Sequence, residues 1–375
     1  MMLAKWFSKS TRVTRKVAAA AAAEARPAAA ACEVEPLEPR QFLSAALKVE
    51  NLDIIPGYER LIFNQIGQKN TTYPNYVKDK GVVRLTNTGD QTLSFSNVVI
   101  SGPFKAVTPL PSSLGPGKSV NVTLQFTATK PPPYTYNQTS YTTKPYSGGT
   151  YIGSLTFKTN DPNNGTYKEE LAGYYQNKSE DNQEPGLQTI VNLVMNYKTN
   201  IAPPKTVDLK QTSTSRVLYG EEIASAYWTV ADSARPVGMR QIAAFKGMDF
   251  PVSSGWYKKS DKVYKQLYKN DVRTNQSFLP YKEGQPGVAA NGTFSPGAGV
   301  VFGFKVDREW SDDKLNKKPW GQGHHMRFWP LRDHFGNILP NTYLMSMDYS
   351  DAYAVPNEDY QDNVYIISNV KPAGN

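Results

Sequence analysis

Residues 323–370 read GHHMRFWPLRDHFGNILPNTYLMSMDYSDAYAVPNEDYQDNVYIISNV, and this stretch decides the fold. Met326 and Phe328 alternate with Arg327 and Trp329, and residues 334–337 then supply turn chemistry. A second apolar run covers 343–347. An acidic turn covers 348–362, and 364–370 closes with a third strand pattern. Strand, turn, strand, acidic turn, strand is an antiparallel meander. From Asp333 to Val370 there is no Lys or Arg, although the whole chain carries a formal charge of +9.

Working outward, further strand candidates in the same half lie at 207–209, 216–219, 239–245 and 300–306. Residues 221–230 fit a short helix or a strand, because short apolar runs do not separate the two. Residues 292–299 are turn-rich. Together, 205–375 predict an antiparallel sandwich, jelly-roll-like or similar. In the first half, Val120, Val122, Leu124 and Phe126 alternate strictly with Asn121, Thr123 and Gln125. Leu155 and Phe157 repeat the period before Asn160-Asp161-Pro162. Short strands at this spacing predict a β-sandwich over 48–200. A last strand is expected at 187–197, and Pro203-Pro204 reads as the linker between two separate sandwiches. The fold class is therefore all-β, with two antiparallel β-sandwich domains after a leader over 1–47.

Composition agrees. Gly and Pro stand at 27 each and Tyr at 23, which favours strands and turns over helices. The charge divides as +3 over 1–47, +3 over 48–204 and +3 over 205–375. Nucleic-acid binders concentrate positive charge on one patch, so no nucleic-acid partner is expected. The single cysteine, Cys32, excludes an intramolecular disulfide framework. No apolar run reaches the roughly 18 residues of a membrane-spanning helix. Lys5, Lys9, Arg12, Arg15 and Lys16 precede the first acidic residue, and alanines fill 18–23. That is the outline of an export signal.

Three resemblances add to this reading. Residues 37–45, LEPRQFLSA, resemble the LEPR-XLL element of exported bacterial surface proteins, with Phe42 where that element usually has Leu. It implies export from a bacterium and says nothing of activity. "LTNTGDQTLSFSNVVISGPF", "SLGPGKSVNVTLQFTAT" and "GSLTFKTNDPNN" resemble the immunoglobulin-like ASH/Hydin-type domain over 78–175. The insertion at 130–149, with three consecutive prolines, departs from that pattern. "ARPVGMRQIAAF", "FSPGAGVVFGFKVDREWSDDKLN" and "DYQDNVYIISNVKP" resemble a C-terminal β-sandwich module of large secreted bacterial proteins, which implies an extracellular location.

Three constellations bear on chemistry. Asp348, Asp351, Glu358, Asp359, Asp362 and Asn363 form an oxygen-rich turn, and Ca²⁺ takes six to eight such oxygens. The spacing is not that of an EF-hand, and the plainer reading is a turn closed by Asx hydrogen bonds. Trp310, Trp320 and Trp329 are candidate sugar-stacking residues. Trp329 follows Phe328, so a regular strand turns one of the two outward. The plainer reading is sandwich core. His324-His325 with Asp312, Asp313 and Asp333 would make an acid–base or metal site only if the diverging side chains met. No HExxH, CxxC, GxSxG or P-loop is present.

The expected function is a non-catalytic extracellular or cell-surface structural or adhesive protein. The alternative is a carbohydrate-binding module whose exposed tryptophans meet polysaccharide or other cell-surface components. A hydrolase using Asp312 and Asp313 is the weakest reading, since adjacent carboxylates on a strand diverge.

Overall fold

Alternation builds the first sheets. Val83 and Leu85, and Val122, Leu124 and Phe126, occupy every second strand position and are buried on one shared face. The computed structural model describes residues 44–53, 55, 60–67, 77–132, 148–179, 184–202, 217–247, 250–316, 324–349 and 359–374. In chain order the first half forms β1 (Leu47–Asn51), β2 (Arg60–Ile66), β3 (Lys80–Asn87), β4 (Leu93–Ser101), β5 (Phe104–Ala106), β6 (Ser113–Leu114), β7 (Ser119–Phe126), β8 (Gly148–Thr159) and β9 (Thr166–Gln176). The second half begins with β10 (Tyr227–Val230), β11 (Val237–Phe245), β12 (Ser253–Lys258), β13 (Tyr264–Lys269), β14 (Gln276–Phe278), β15 (Tyr281–Lys282) and β16 (Gln285–Ala289). It ends with β17 (Asn291–Phe294), β18 (Phe302–Val306), β19 (Glu309–Trp310), β20 (Met326–Arg332), β21 (Ile338–Met347), β22 (Asn363–Ser368) and β23 (Val370–Gly374). The protein is all-β.

Four main sheets stack in layers. The first outer sheet runs β1-β3-β7-β5 and the first inner sheet β2-β9-β8-β4-β6. The second inner sheet runs β14-β11-β22-β21-β20, and the second outer sheet β13-β12-β18-β10-β23 with β19 on β18. The pairing is antiparallel with one departure. β2 runs parallel to β9, Arg60 opposite Glu170, because the chain changes sheets between β1 and β2. Leu61, Phe63, Leu85, Leu124 and Phe126 fill the space between the first two sheets. Trp228, Met239, Phe304, Phe328 and Ile367 fill the space between the last two.

A third core joins the inner sheets. Ile62, Ile66 and Tyr174 from the first half pack with Phe245, Phe278, Trp329 and Ile366 from the second. Tyr174 meets Phe278 with ring centroids 5.7 Å apart and Phe245 at 6.4 Å. Asn64 Oδ1 on β2 accepts from Phe278 N (3.1 Å) and Ser277 Oγ (3.2 Å) on β14. Residues 43–375 thus form one compact unit. The expectation of two separate sandwiches gives way to two sandwiches fused through a continuous apolar core. No described sheet crosses between the halves, and Pro203-Pro204 lies outside the described residues.

Other expectations change with equally physical reasons. The strand expected at 187–197 is a π-helical turn, Thr189–Val194. Ile190, Val191 and Val194 are buried at helical spacing, and Arg60 Nη1 donates to the Leu193 (2.8 Å) and Val194 (3.1 Å) carbonyls. The leader boundary also moves. Ser44 N donates to Asp90 Oδ1 (2.7 Å) and Ala45 is buried in the first core, so 44–47 belong to the sandwich. The remainder of the leader and most of the LEPR-like element lie outside the described residues. No described helix is long and apolar enough to cross a membrane.

Candidate functional site

The acidic turn is only partly described, since Asp351 and Glu358 fall outside. Asp348 is buried, and its backbone N donates to His325 O (3.0 Å). Asp362 Oδ2 accepts from Tyr349 N (2.7 Å), and Asp359 Oδ1 accepts from Gln361 N (3.4 Å). Asn363 is fully buried, with its Oδ1 accepting from Gln241 Nε2 (2.7 Å). Among the described residues no group of three His, Cys, Asp or Glu is placed to hold a metal ion. Asp359 makes the Asx-type contact of a closed turn, and Asp362 reaches back to the Tyr349 backbone.

His324 and His325 immediately precede β20, and their rings part. His324 Nε2 lies 3.0 Å from Glu222 Oε1, and its Nδ1 lies 3.1 Å from each Asp313 carboxylate oxygen. His325 Nδ1 pairs with Glu309 on β19. Arg327 donates to Glu222 Oε2 and to Val217 O (3.0 Å), with its guanidinium 3.8 Å from the Tyr219 ring centroid and 4.5 Å from that of Tyr360. Burial alone would raise the Glu222 carboxyl. The His324 hydrogen bond and the Arg327 charge outweigh burial and hold it below the usual carboxylate range. Burial likewise opposes the Arg327 charge, and Tyr360 and Glu222 overcome it. The other two carboxylates leave the group. Asp312 accepts from the Tyr227 hydroxyl, and Asp333 accepts from Phe335 N (2.9 Å) and Asn337 N (2.8 Å) in the β20–β21 turn. The sequence pointed to His324 and Asp313. It gave no sign of Glu222, whose partner lies 102 residues away.

The tryptophans divide. Trp329 is fully buried, and its Nε1 donates to Tyr219 O (2.6 Å). Phe328 is equally buried in the opposite core, because the inner sheet is covered on both faces. Neither turns outward, and Trp329 leaves the sugar-stacking set. Trp320 lies outside the described residues. Trp310 stays half-buried at the surface of the second outer sheet.

Around Trp310 the outward face of that sheet is aromatic. Its ring meets Tyr257 edge-on at 4.7 Å. The Tyr257 ring covers Gly303, where a Cβ would come within 2.4 Å of it, and the Tyr264 ring covers Gly255, where a Cβ would come within 2.8 Å. Two glycines on neighbouring strands thus let two tyrosine rings approach the sheet backbone. Lys305 Nζ sits between Trp310 (4.8 Å) and Tyr264 (4.9 Å). Lys259 Nζ lies 4.2 Å from the Tyr227 ring centroid. Ser253 Oγ shares a hydrogen bond with the Tyr264 hydroxyl (2.6 Å) and donates to Gln266 Oε1 (2.9 Å). Sequence reasoning singled out Trp310 alone. The overlooked signal was glycine two residues before Tyr257 on β12 and two before Lys305 on β18, on the same face as both.

No family model matches the chain, and no curated protein matches it. Among solved structures, it is similar to a protein of unknown function from Porphyromonas gingivalis W83 (12% identity, TM-score 0.22), over 35% of this chain and 47% of that one. The chain thus spans about half the length of that protein. It is also similar to the ASH / PapD-like domain of human CEP192 (13% identity, TM-score 0.22, 39% of this chain and 97% of that one). The E. coli chaperone DraB is similar at 10% identity and TM-score 0.22, over 71% of this chain and 92% of that one. Scores this low carry no argument about function.

Proposed function

We infer that the protein is a non-catalytic structural or adhesive protein of the bacterial cell exterior. The observation that carries the reading is the apolar core between the two inner sheets, which joins the four sheets into one compact unit. Its clustered histidines lie within hydrogen-bond distance of carboxylates of that body: His324 of Glu222 and Asp313, His325 of Glu309. The basic, Ala-rich stretch before residue 24 and the LEPR-like element support export. Cell fractionation with an antibody to the full chain tests the reading. Recovery in the envelope or medium, with adhesion impaired on deletion, is the expected outcome; cytoplasmic retention overturns it. The aromatic face around Trp310 favours a second reading, carbohydrate binding. A pull-down on insoluble polysaccharide separates the two, since a purely structural protein stays in the supernatant.

A further inference from the structure

The inference concerns the outward face of the second outer sheet and rests on the carbohydrate reading. On the β12–β13 hairpin, Lys258 and Lys265 pair by register with the inward-facing Phe302 and Trp256, Lys269 lies 4.0 Å from Glu283, and Lys259 and Lys262 stand at the turn with Asp261. Lys305 adds a cation at the centre of the face, between the Trp310 and Tyr264 rings. Burial pushes the Lys305 ammonium below the usual lysine range, while Asp307 and Glu309 hold it up. A partly desolvated cation gains more from an arriving anion than one in open water. Gln266, two strands across from Lys305 through Gly255, is exposed, and Lys259 is exposed over the Tyr227 ring further along the face; both add polar groups that suit hydroxyls.

We propose that this face binds an anionic polysaccharide whose sugar rings carry carboxylates, with Trp310 and Tyr264 stacking on the rings and Lys305 and Lys259 meeting the carboxylates. The charge pattern selects this ligand. Asp312 accepts from the Tyr227 hydroxyl, Asp307 from Ser253 N (2.7 Å) and Asp261 from Val263 N (2.9 Å), so between the lysines stand carboxylates. A nucleic-acid duplex presents a charge about every 1.7 Å and would run against them. A uronate chain separates its carboxylates by hydroxyls, which hydrogen-bond to aspartates as readily as to Gln266. A neutral glycan would use the rings and leave the lysines without a role.

The test is isothermal titration of the full chain with polygalacturonate, with mannan as neutral polymer and with single-stranded DNA. Polygalacturonate is expected to bind, and to bind more weakly as salt rises. Lys305→Gln and Lys259→Gln each weaken it by about tenfold, the scale of one lost charged hydrogen bond, with the melting temperature lowered by no more than a few degrees. Trp310→Ala removes binding, and the lysine variants decide should that variant fold poorly. Equal binding of mannan overturns the anionic preference and leaves the carbohydrate reading standing. Failure of both glycans to bind overturns both. Tighter binding of DNA, or lysine variants that bind like the parent, overturns the proposal.

Discussion

The two outer sheets occupy equivalent ends of one four-layer stack, yet their outward faces differ. On the first, outward positions hold small polar pairs: Arg84 Nε to Asn121 Oδ1 at 3.1 Å, and Thr86 with Ser119 at 2.8 Å. On the second, the same positions hold Tyr257, Tyr264 and Lys305, with glycines 255 and 303 clearing room beneath the tyrosines. Alternation alone predicts the first pattern, apolar in and polar out. Tyr257 is itself buried in a small core with Ala226, Tyr227 and Trp310, whereas Tyr264, Lys305 and Trp310 stay partly exposed, and the proposed ligand face rests on that exposed part.

The comparison presumes that both outer sheets belong to one body. Trp329→Ala tests this with the largest effect. It empties a fully buried site in the core shared by the inner sheets, at a cost of about 3–5 kcal/mol. Amide exchange should accelerate in β9 and β22 together. Loss of protection in β22 alone would separate the halves and remove the equivalence of their outer faces.

Glu222→Gln tests the ion chain that anchors β20 to residues 217–222 and 313. Arg327 would keep a buried charge with a weakened partner, at a cost of about 3 kcal/mol at neutral pH. The Glu222 carboxyl is held below its ordinary value of 4.5 in the folded state. Its contribution is therefore complete above 4.5 and is lost as pH falls through the depressed value. The gap between parent and variant in urea melts should narrow in acid, and a gap independent of pH would refute the assignment.

Gly303→Ala probes the aromatic face directly. The added Cβ would lie 2.4 Å from the buried Tyr257 ring, so ring or strand must shift, at about 1–3 kcal/mol. A thermal melt like the parent's would show that the ring lifts freely and that the face is not preorganised.

Much of the fold was legible in the sequence because its signal is local. Residues 120–126 alternate and form β7; 239–245, 343–347 and 364–369 lie in or overlap β11, β21 and β22. The failures share one cause, burial set by distant chain. Phe328 and Trp329 face opposite ways as a strand requires, yet both are buried because the second face of their sheet meets β2 and β9. Nothing within 325–332 announces that cover. The hairpin β12–β13 escaped notice because YKQLYK offers tyrosines and lysines in place of an apolar stripe. Trp310 was legible as a large aromatic. Its neighbours Tyr257 and Lys305 come together only through strand pairing of β12 with β18.

The smallest expected effect lies on the first outer face and calibrates the rest. Arg84 is exposed, and its partner Asn121 sits on the facing strand. An exposed pair of this kind contributes little, because water serves both groups nearly as well. Arg84→Ala should change stability by less than about 0.5 kcal/mol. Glu50 carries a finer readout: the Lys48 hydrogen bond holds its carboxyl below the usual range, with a smaller contribution from Arg84. Removing Arg84 should move the Glu50 titration upward slightly in an NMR pH series and leave the melt in place. Lys305→Ala on the opposite face removes a cation held between two rings and should cost about 1 kcal/mol. Equal costs for the two substitutions would mean that the second face is no more organised than the first. A larger cost at Lys305 would locate the organisation in the aromatic cradle and not in surface charge as such.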